Sequence, residues 1–426
     1  MSLFFKAVLG VQRVFHFDSI NDIGFAYLTG GKTRALSRNT LGHLVRAVST
    51  RAVNVFVRFT RPTLSAASRI PLSIDEHVVA RFTRKFLIPK GFHTIRNKKM
   101  RAEKPFFSFD THDGLLLDLE VTPGKSRLAH IAGRMLAKMR RRRPRGQMRV
   151  VLDAGAAHSH AELLQLVDAN KRHVVIVRAP RRTAYRKRWA ELPPSVFTTY
   201  EEEGRYKNAP PKVVHIAETT TTIRASRHDQ PRRVRTIVVR EERRQKKNRW
   251  HALFVFNDAA TTPRELVEEF RARQHHEQTY RILLHDAFVD TVPSGYNKKS
   301  RNPDRPGFRK NALTLYAWLA GTAANFLVLF TWQLPHRFRH AHPRTVRRWW
   351  LNVHADLYHG TDTLIVVLRP RWFRAWWSRH IDLINAKNIR LPWLDNRRVV
   401  LTLDSPIHPV VESPSDPKIA PSGVWC

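Results

Sequence analysis

The run from Trp250 to Leu284, WHALFVFNDAATTPRELVEEFRARQHHEQTYRILL, joins a strand pattern to a long helix pattern across a two-residue break. Ala252 to Phe256 alternates as a half-buried strand does, Asn257-Asp258 interrupts it, and Thr262 with Pro263 has the form of an N-cap followed by the first helical residue. Along the helix that follows, Phe270, Arg273, Glu277 and Leu284 are separated by three, four and seven residues, so at about 100° per residue they share a face. A carboxylate is thereby set beside a cation on a stiff support. The same spacing also describes an ordinary helical Arg/Glu pair contributing a few tenths of a kcal/mol. What decides between them is whether acidic residues from elsewhere can converge on Glu277.

Two upstream aspartates qualify. Pro71 to Val79 reads as a strand with Asp75 in its middle, where strand propensity disfavours an aspartate unless it lies at an edge or has a task. Phe106 to Phe109 and Leu115 to Val121 read as a hairpin, and Arg127 to Arg143 as a helix ending in the basic run Arg140-Arg141-Arg142-Arg143. That run is either a solvated helix end or a phosphate contact, with Arg141 and Arg142 as candidates. Arg149 to Asp153 is then a short apolar strand ending on an aspartate, followed by the helix Ser159 to Ala169 and the strand His173 to Arg178. Strands buried in a mixed or parallel sheet have this form, and their carboxyl ends are where α/β folds place chemistry. An aspartate at a strand end is equally a turn former. Together, Asp75, Asp153 and Glu277 make three carboxylates that one sheet edge could assemble.

The remaining chain sets the context. Residues 1–69 are helical and basic, with Leu41, Leu44, Val45 and Val48 on one face; a packing bundle and a DNA-binding helix-turn-helix both fit. Residues 70–178 hold the first strands and helices, 179–257 form a β-branched, alternating stretch read as an inserted β-rich subdomain, 258–335 carry the Glu277 helix, and 336–426 form a basic C-terminal region. Within the fourth segment Asn311 to Trp332 is uncharged for about the length of a bilayer crossing, yet Thr314, Thr322 and Asn325 interrupt it, which favours a buried helix packed on a sheet over a membrane span.

Charge then selects the partner. The 75 Lys and Arg against 35 Asp and Glu give a net charge of +40, an excess hard to hold in a compact monomer without a polyanion; nucleic acid leads, and an anionic membrane surface follows. The single cysteine, Cys426, excludes a disulfide framework and a cysteine-based zinc site, and MSLFFKAVLGVQRVF is too interrupted for a signal peptide. A reducing, cytoplasmic setting is expected.

The order of these elements, ending in Phe270-x2-Arg273-x3-Glu277, resembles the DDE transposases of bacterial insertion sequences, within the cut-and-paste branch whose signature is Tyr-x2-Arg-x3-Glu-x6-Lys. The resemblance covers about residues 70–335 and extends more loosely to Leu351-Asn-Val-His-Ala-Asp-Leu-Tyr and Leu364-Ile-Val-Val-Leu-Arg-Pro in the tail. It implies an α/β fold, an RNase H-like catalytic core with an inserted β-rich subdomain flanked by a mainly helical N-terminal region. It also implies catalysis by Asp75, Asp153 and Glu277 through Mg²⁺ or Mn²⁺, two ions in all, because hard cations at a phosphodiester require oxygen ligands. Arg273 would orient Glu277 or grip a phosphate, and Phe270, Arg281, Arg141 and Arg142 would serve DNA binding. Adjacent His275 and His276 diverge by about 100° on a helix, which argues against a zinc pair. The implied partners are double-stranded DNA, as terminal inverted repeats and target, and a second copy of the chain in a homodimer; a nucleoid-associated location follows and a membrane does not. Two departures from the signature stand out: Phe270 replaces the tyrosine and Leu284 the lysine. They keep open a decayed or domesticated relative that binds DNA without cutting, and a metal-dependent nuclease of the same fold.

Overall fold

The structure, a computed structural model, describes residues 2–12, 16, 22–32, 36–64, 69–80, 90–93, 97–202, 212–242, 249–289, 310–339, 341–404 and 422–423. Its elements in chain order are α1 (Ser2–Val8), α2 (Ile23–Gly30), α3 (Arg38–Ala47), α4 (Thr50–Thr60), β1 (Arg69–Glu76), β2 (Val79–Ala80), β3 (Lys90–His93), β4 (Lys98–Asp110), β5 (Leu116–Pro123), α5 (Leu128–Arg142), β6 (Gln147–Leu152), α6 (His160–Ala169), β7 (Val174–Arg178), α7 (Thr183–Ala190), β8 (Phe197–Glu202), β9 (Lys212–Ile223), β10 (Arg232–Glu241), β11 (Arg249–Phe256), α8 (Pro263–Arg281), α9 (Lys310–Gln333), α10 (Pro343–Val346), β12 (His354–His359), β13 (Thr363–Arg369), α11 (Arg374–Asn385), β14 (Arg390–Leu391), β15 (Arg397–Thr402) and β16 (Ser422–Gly423). They form two compact units, residues 61–279 and residues 1–60 with 280–426.

The 61–279 unit is mixed α/β. One path through its sheet runs β2-β4-β1-β6-β7-β11-β10-β9-β8, with β5 also on β4. Strands β1, β6 and β7 are parallel neighbours, whereas β4 is antiparallel to β1 and β11 antiparallel to β7. Alternation along each strand sorts residues onto two faces. Ile70, Leu72, Ile74, Met148, Val150, Leu152, Val175 and Val177 join α5 and α6 in one core. Val151, Val174 and Ile176 face the other way, against Leu266, Val267 and Phe270 of α8. Fully burying a side chain of this size contributes about 1.5–3 kcal/mol, so each face is strongly specified.

The stretch 179–257 does not stand apart as a subdomain: β8 to β11 continue the same sheet, because β11 pairs with β7 and leaves no free edge between core and insertion. The expected N-terminal region likewise groups with the C-terminal residues. Within that second unit, among the described residues, the apolar helix α9 packs chiefly against α1, α3 and α4, where the sequence suggested a sheet. Its span Asn311–Gln333 is long and apolar enough to cross a membrane, and 61% of its most apolar window is buried. Arg347 ties the unit together, donating to the Val8 and Ala7 carbonyls at 2.6 and 3.1 Å and to Asp286 at 3.3 Å. Ser37 caps α3 by accepting from the Thr40 amide at 3.2 Å, and Leu44 on the expected apolar face is 52% exposed.

Candidate active site

The site is built where β1 and β6 end. Ile74 is level with Leu152 in the parallel register, so Asp75 and Asp153 follow side by side on strands about 4.8 Å apart. Strand β1 ends at Glu76 instead of running on to Val79, which places Asp75 near the carboxyl end and not mid-strand. The next register step, Leu152 with Val177, brings Arg178 level with Asp153. Alternation puts all three on the α8 side, opposite to Ile74, Leu152 and Val177. Glu76, one residue on, points to the α5 face, where Lys104 pairs with it at 3.1 Å. Burial raises the Glu76 carboxyl above its ordinary range against the pull of Lys104.

Helix α8 is fixed over this face by chemistry at both ends. Thr262 and Glu265 form a capping box: the Thr262 amide donates to Glu265 Oε2 at 2.9 Å and the Glu265 amide to Thr262 Oγ1 at 3.3 Å. Arg149, at the start of β6, donates Nε to both Glu269 oxygens at 2.9 Å and lies 2.9 Å from Asp258. One turn further, Arg273 donates Nη1 to Asp75 Oδ2 at 3.3 Å. Finally the Thr279 hydroxyl donates to the Gly114 carbonyl at 2.6 Å, in the β4–β5 turn.

Each aspartate thus faces an arginine: Asp75 faces Arg273, and Asp153 lies 3.7 Å from Arg178 Nη1. Burial lowers the Arg178 pKa, Asp153 opposes this, and Arg181, Arg249 and Arg273 lower it further. Asp153 Oδ1 is the oxygen that faces Arg178; it accepts no hydrogen bond among the described residues, and the guanidinium at 3.7 Å is the cation that offsets its burial. Farther along the same face, Arg271 pairs with Glu202 and, at 3.3 Å, with Glu241; burial holds neighbouring His251 down at about 4, against the pull of Glu241.

The remaining expected residues separate into distinct settings. Phe270 is half-buried against the core beneath α8, with Arg273 5.9 Å over its ring. Arg142 turns inward, donating to the Pro62 and Leu117 carbonyls, so its guanidinium is engaged by the protein and not left for phosphate; Arg141 stays exposed. Arg281 is exposed at the end of α8. Glu277 occupies α8 one turn beyond Arg273, and its side chain, with those of His275 and His276, lies outside the described residues. Leu284 is half-buried in a π-helical turn, Ile282–Asp286, whose wider winding breaks the period that placed it on the face of Glu277. Among the described residues no three His, Cys, Asp or Glu side chains converge to hold a metal.

Sequence reasoning missed Arg149 and Arg178. The signal was there for Arg178: it ends the apolar run Val174 to Val177 in the position that Asp153 holds after β6.

No family model matches the chain, and no curated protein matches it. Among solved structures, a piggyBac transposase synaptic complex with hairpin DNA is similar over 82% of this chain and 68% of its own, at 12% identity and a TM-score of 0.41. At that level the likeness is coarse.

Proposed function

We propose that this chain is a DDE-type DNA transposase that cleaves at transposon ends and transfers the freed 3′-hydroxyl into target DNA. The observation carrying the proposal is the in-register pair Asp75 and Asp153 at the carboxyl ends of neighbouring parallel strands, beneath a helix that supplies Arg273 and, one turn on, Glu277. The order β5-β4-β1-β6-β7, antiparallel only at β4 and β5's partners, with α5 leading into β6 and α6 into β7, supports an RNase H-like core.

The donor set fits a hard divalent cation. Two carboxylates stand side by side at the ends of adjacent strands, and Asp153 Oδ1 accepts no hydrogen bond among the described residues, its facing cation being Arg178 at 3.7 Å. Asp75 and Asp153 would hold Mg²⁺ or Mn²⁺ jointly, with Glu277 as third ligand. Two such ions would stabilise the entering and leaving oxygens of an in-line displacement at phosphorus. Arg273 positions the Asp75 carboxylate, and Arg178 offsets the charge of Asp153. The net charge of +40 supplies the attraction for duplex DNA, and the two ends of one element call for two copies of the chain.

The test is incubation of the full chain with DNA flanking its coding sequence, a target plasmid and Mg²⁺ or Mn²⁺, followed by sequencing of strand junctions. Joining of 3′-ends to target is expected. Metal-dependent nicking without joining would make the protein a nuclease of this fold, and end binding without nicking a decayed relative.

A further inference from the structure

The turn between β13 and α11 carries an exposed indole on a buried aromatic stack. Phe373 sits at φ 60° and ψ 37°, a left-handed conformation that bulky L-residues rarely adopt unless their surroundings enforce it. What enforces it is packing: its ring lies 4.3 Å from Trp350 and 10° from parallel, and the fully buried Trp350 is met edge-on by Phe338 and Trp376. With Phe373 locked inward, the preceding Trp372 is left 54% exposed, its ring centre 5.1 Å from that of Trp349.

Guanidinium groups surround this pair. Arg348 lies 5.9 Å over the Trp349 ring, and Arg337 lies 5.0 and 5.4 Å over Phe338 and Phe373. Arg337, Arg348 and Arg371 are exposed and have no ion pair among the described residues. Of the nine arginines among residues 336–380, Arg347, Arg369 and Arg374 pair with Asp286, Asp356 and Asp404, which leaves the arginines around Trp372 in excess. A partner seated here must therefore be anionic and offer a flat apolar face. A nucleotide strand does both, and only unpaired bases expose that face for stacking. Lipid headgroups would satisfy the arginines too, but membrane insertion does not require a ring held in one orientation, which is what the strained Phe373 and the stack beneath it provide.

We propose that the turn at Trp372 is a stacking platform for an unpaired nucleotide of a DNA strand, with Trp372 stacking on the base, Trp349 bracing that indole from the side at an interplanar angle of 53°, and Arg337, Arg348 and Arg371 taking the neighbouring phosphates. This surface belongs to the C-terminal unit and does not depend on chemistry at Asp75 and Asp153.

The experiment uses the full chain without divalent metal at one fixed salt concentration, with a labelled single-stranded oligonucleotide, the blunt duplex of the same sequence, and phosphatidylcholine vesicles containing phosphatidylserine. Trp372→Ala should weaken single-strand binding about fivefold to a hundredfold, the range of one lost base stack, while changing duplex binding less than about twofold. Trp372→Phe should retain most of the affinity, and oligonucleotide should quench tryptophan emission in the wild type more than in the alanine variant. Arg348→Ala, which leaves Trp372 in place, should weaken single-strand binding and reduce its salt dependence. Equal losses on both DNAs, no loss on either, or a Trp372-dependent affinity for the vesicles with single-strand binding intact would overturn the proposal.

Discussion

Arg273 on α8 donates to Asp75 on β1, Nη1 to Oδ2 at 3.3 Å, across 198 residues of chain. The contact joins the helix that carries Glu277 to the strand that carries the first aspartate, and Arg149 joins the same helix to β6 through Glu269. Helix α8 is thus registered on the sheet at two points roughly one turn apart, which fixes the level at which its next turn crosses the ends of β1 and β6.

If Arg273 positions Asp75, its removal should act on catalysis more than on folding. A hydrogen bond to a charged group contributes about 1.5–3 kcal/mol, so Arg273→Ala should lower metal-dependent cleavage roughly 10- to 100-fold. Arg273→Lys, which keeps the charge and loses the planar fork, should recover part of it. The check is single-turnover cleavage as a function of Mg²⁺, with melting temperature in parallel. Full activity in the alanine variant would show that Asp75 is held without its arginine.

Asp153→Asn removes ligand charge while keeping shape. It should abolish cleavage in Mg²⁺ and leave duplex affinity nearly unchanged, because the phosphate-binding surface is untouched. Titration of labelled duplex by anisotropy, beside a nicking assay, separates the two quantities. Retained nicking would move the chemistry to another site.

Arg149 carries a structural load of a different kind. Its side chain is 9% exposed and shared between Glu269 and Asp258. Burial alone would raise the Asp258 carboxyl, but the Thr261 hydroxyl and amide and the Arg149 guanidinium bring it down to about 2. Arg149→Ala strands two acids, and breaking a buried pair costs about 3–5 kcal/mol. In a unit of this size the melting temperature should fall by roughly 10 °C. Because the folded pKa of Asp258 lies below its ordinary value, its stabilisation is complete above about pH 4 and is lost as pH falls toward 2. The variant's deficit should therefore shrink in acid, as thermal melts at pH 3 and pH 7 would record.

Much of this arrangement could be read from the chain. Alternation in Ile70-Pro-Leu-Ser-Ile-Asp75 and in Arg149 to Asp153 already assigns both aspartates to the face opposite the aliphatic residues, and the Thr262-Pro263 start of α8 is local chemistry. What periodicity could not reveal is pairing. The bond between β11 and β7, which merges the supposed insertion into the sheet, depends on contacts between residues far apart in sequence. The inward turn of Arg142 depends on the Pro62 carbonyl, eighty residues away, and the π-helical turn at Ile282 has no sequence signature comparable to a cap.

Lys6 gives a prediction independent of the site. It is fully buried, donates to the Gln12 carbonyl at 3.0 Å and contacts the Tyr316 hydroxyl, and burial lowers its pKa to about 7. Between pH 7 and about pH 10.5 the unfolded chain therefore binds the extra proton, so this group makes stability rise with pH across that window and adds no slope below it. Lys6→Met, which keeps the length without the amine, should be more stable than the wild type near pH 7, with the advantage shrinking toward pH 10. Parallel melting curves of equal separation at every pH would refute the burial argument.

The last prediction concerns the leucine that stands where the resemblance leads one to expect a lysine. Leu284 is half-buried in the π-helical turn and cannot neutralise a phosphate. Arg281 is exposed at the end of α8, four residues after Glu277, and a guanidinium pairs well with phosphate oxygens. The other basic residues that follow in sequence are His285, which is also exposed, and Lys298 and Lys299, which lie outside the described residues. If Arg281 supplies the missing charge, Arg281→Ala should weaken end binding and reduce cleavage, and should lower the slope of log affinity against log salt by about one phosphate, near 0.9. Leu284→Lys placed in the Arg281→Ala background should restore much of both. The π-helical turn gives that rescue a further condition: a lysine has to leave a half-buried position to reach DNA, which its long flexible stem allows. A silent Arg281→Ala, together with a Leu284→Lys variant that converts an inert protein into an active one, would mean that no compensation exists and that the chain is a transposase in decay.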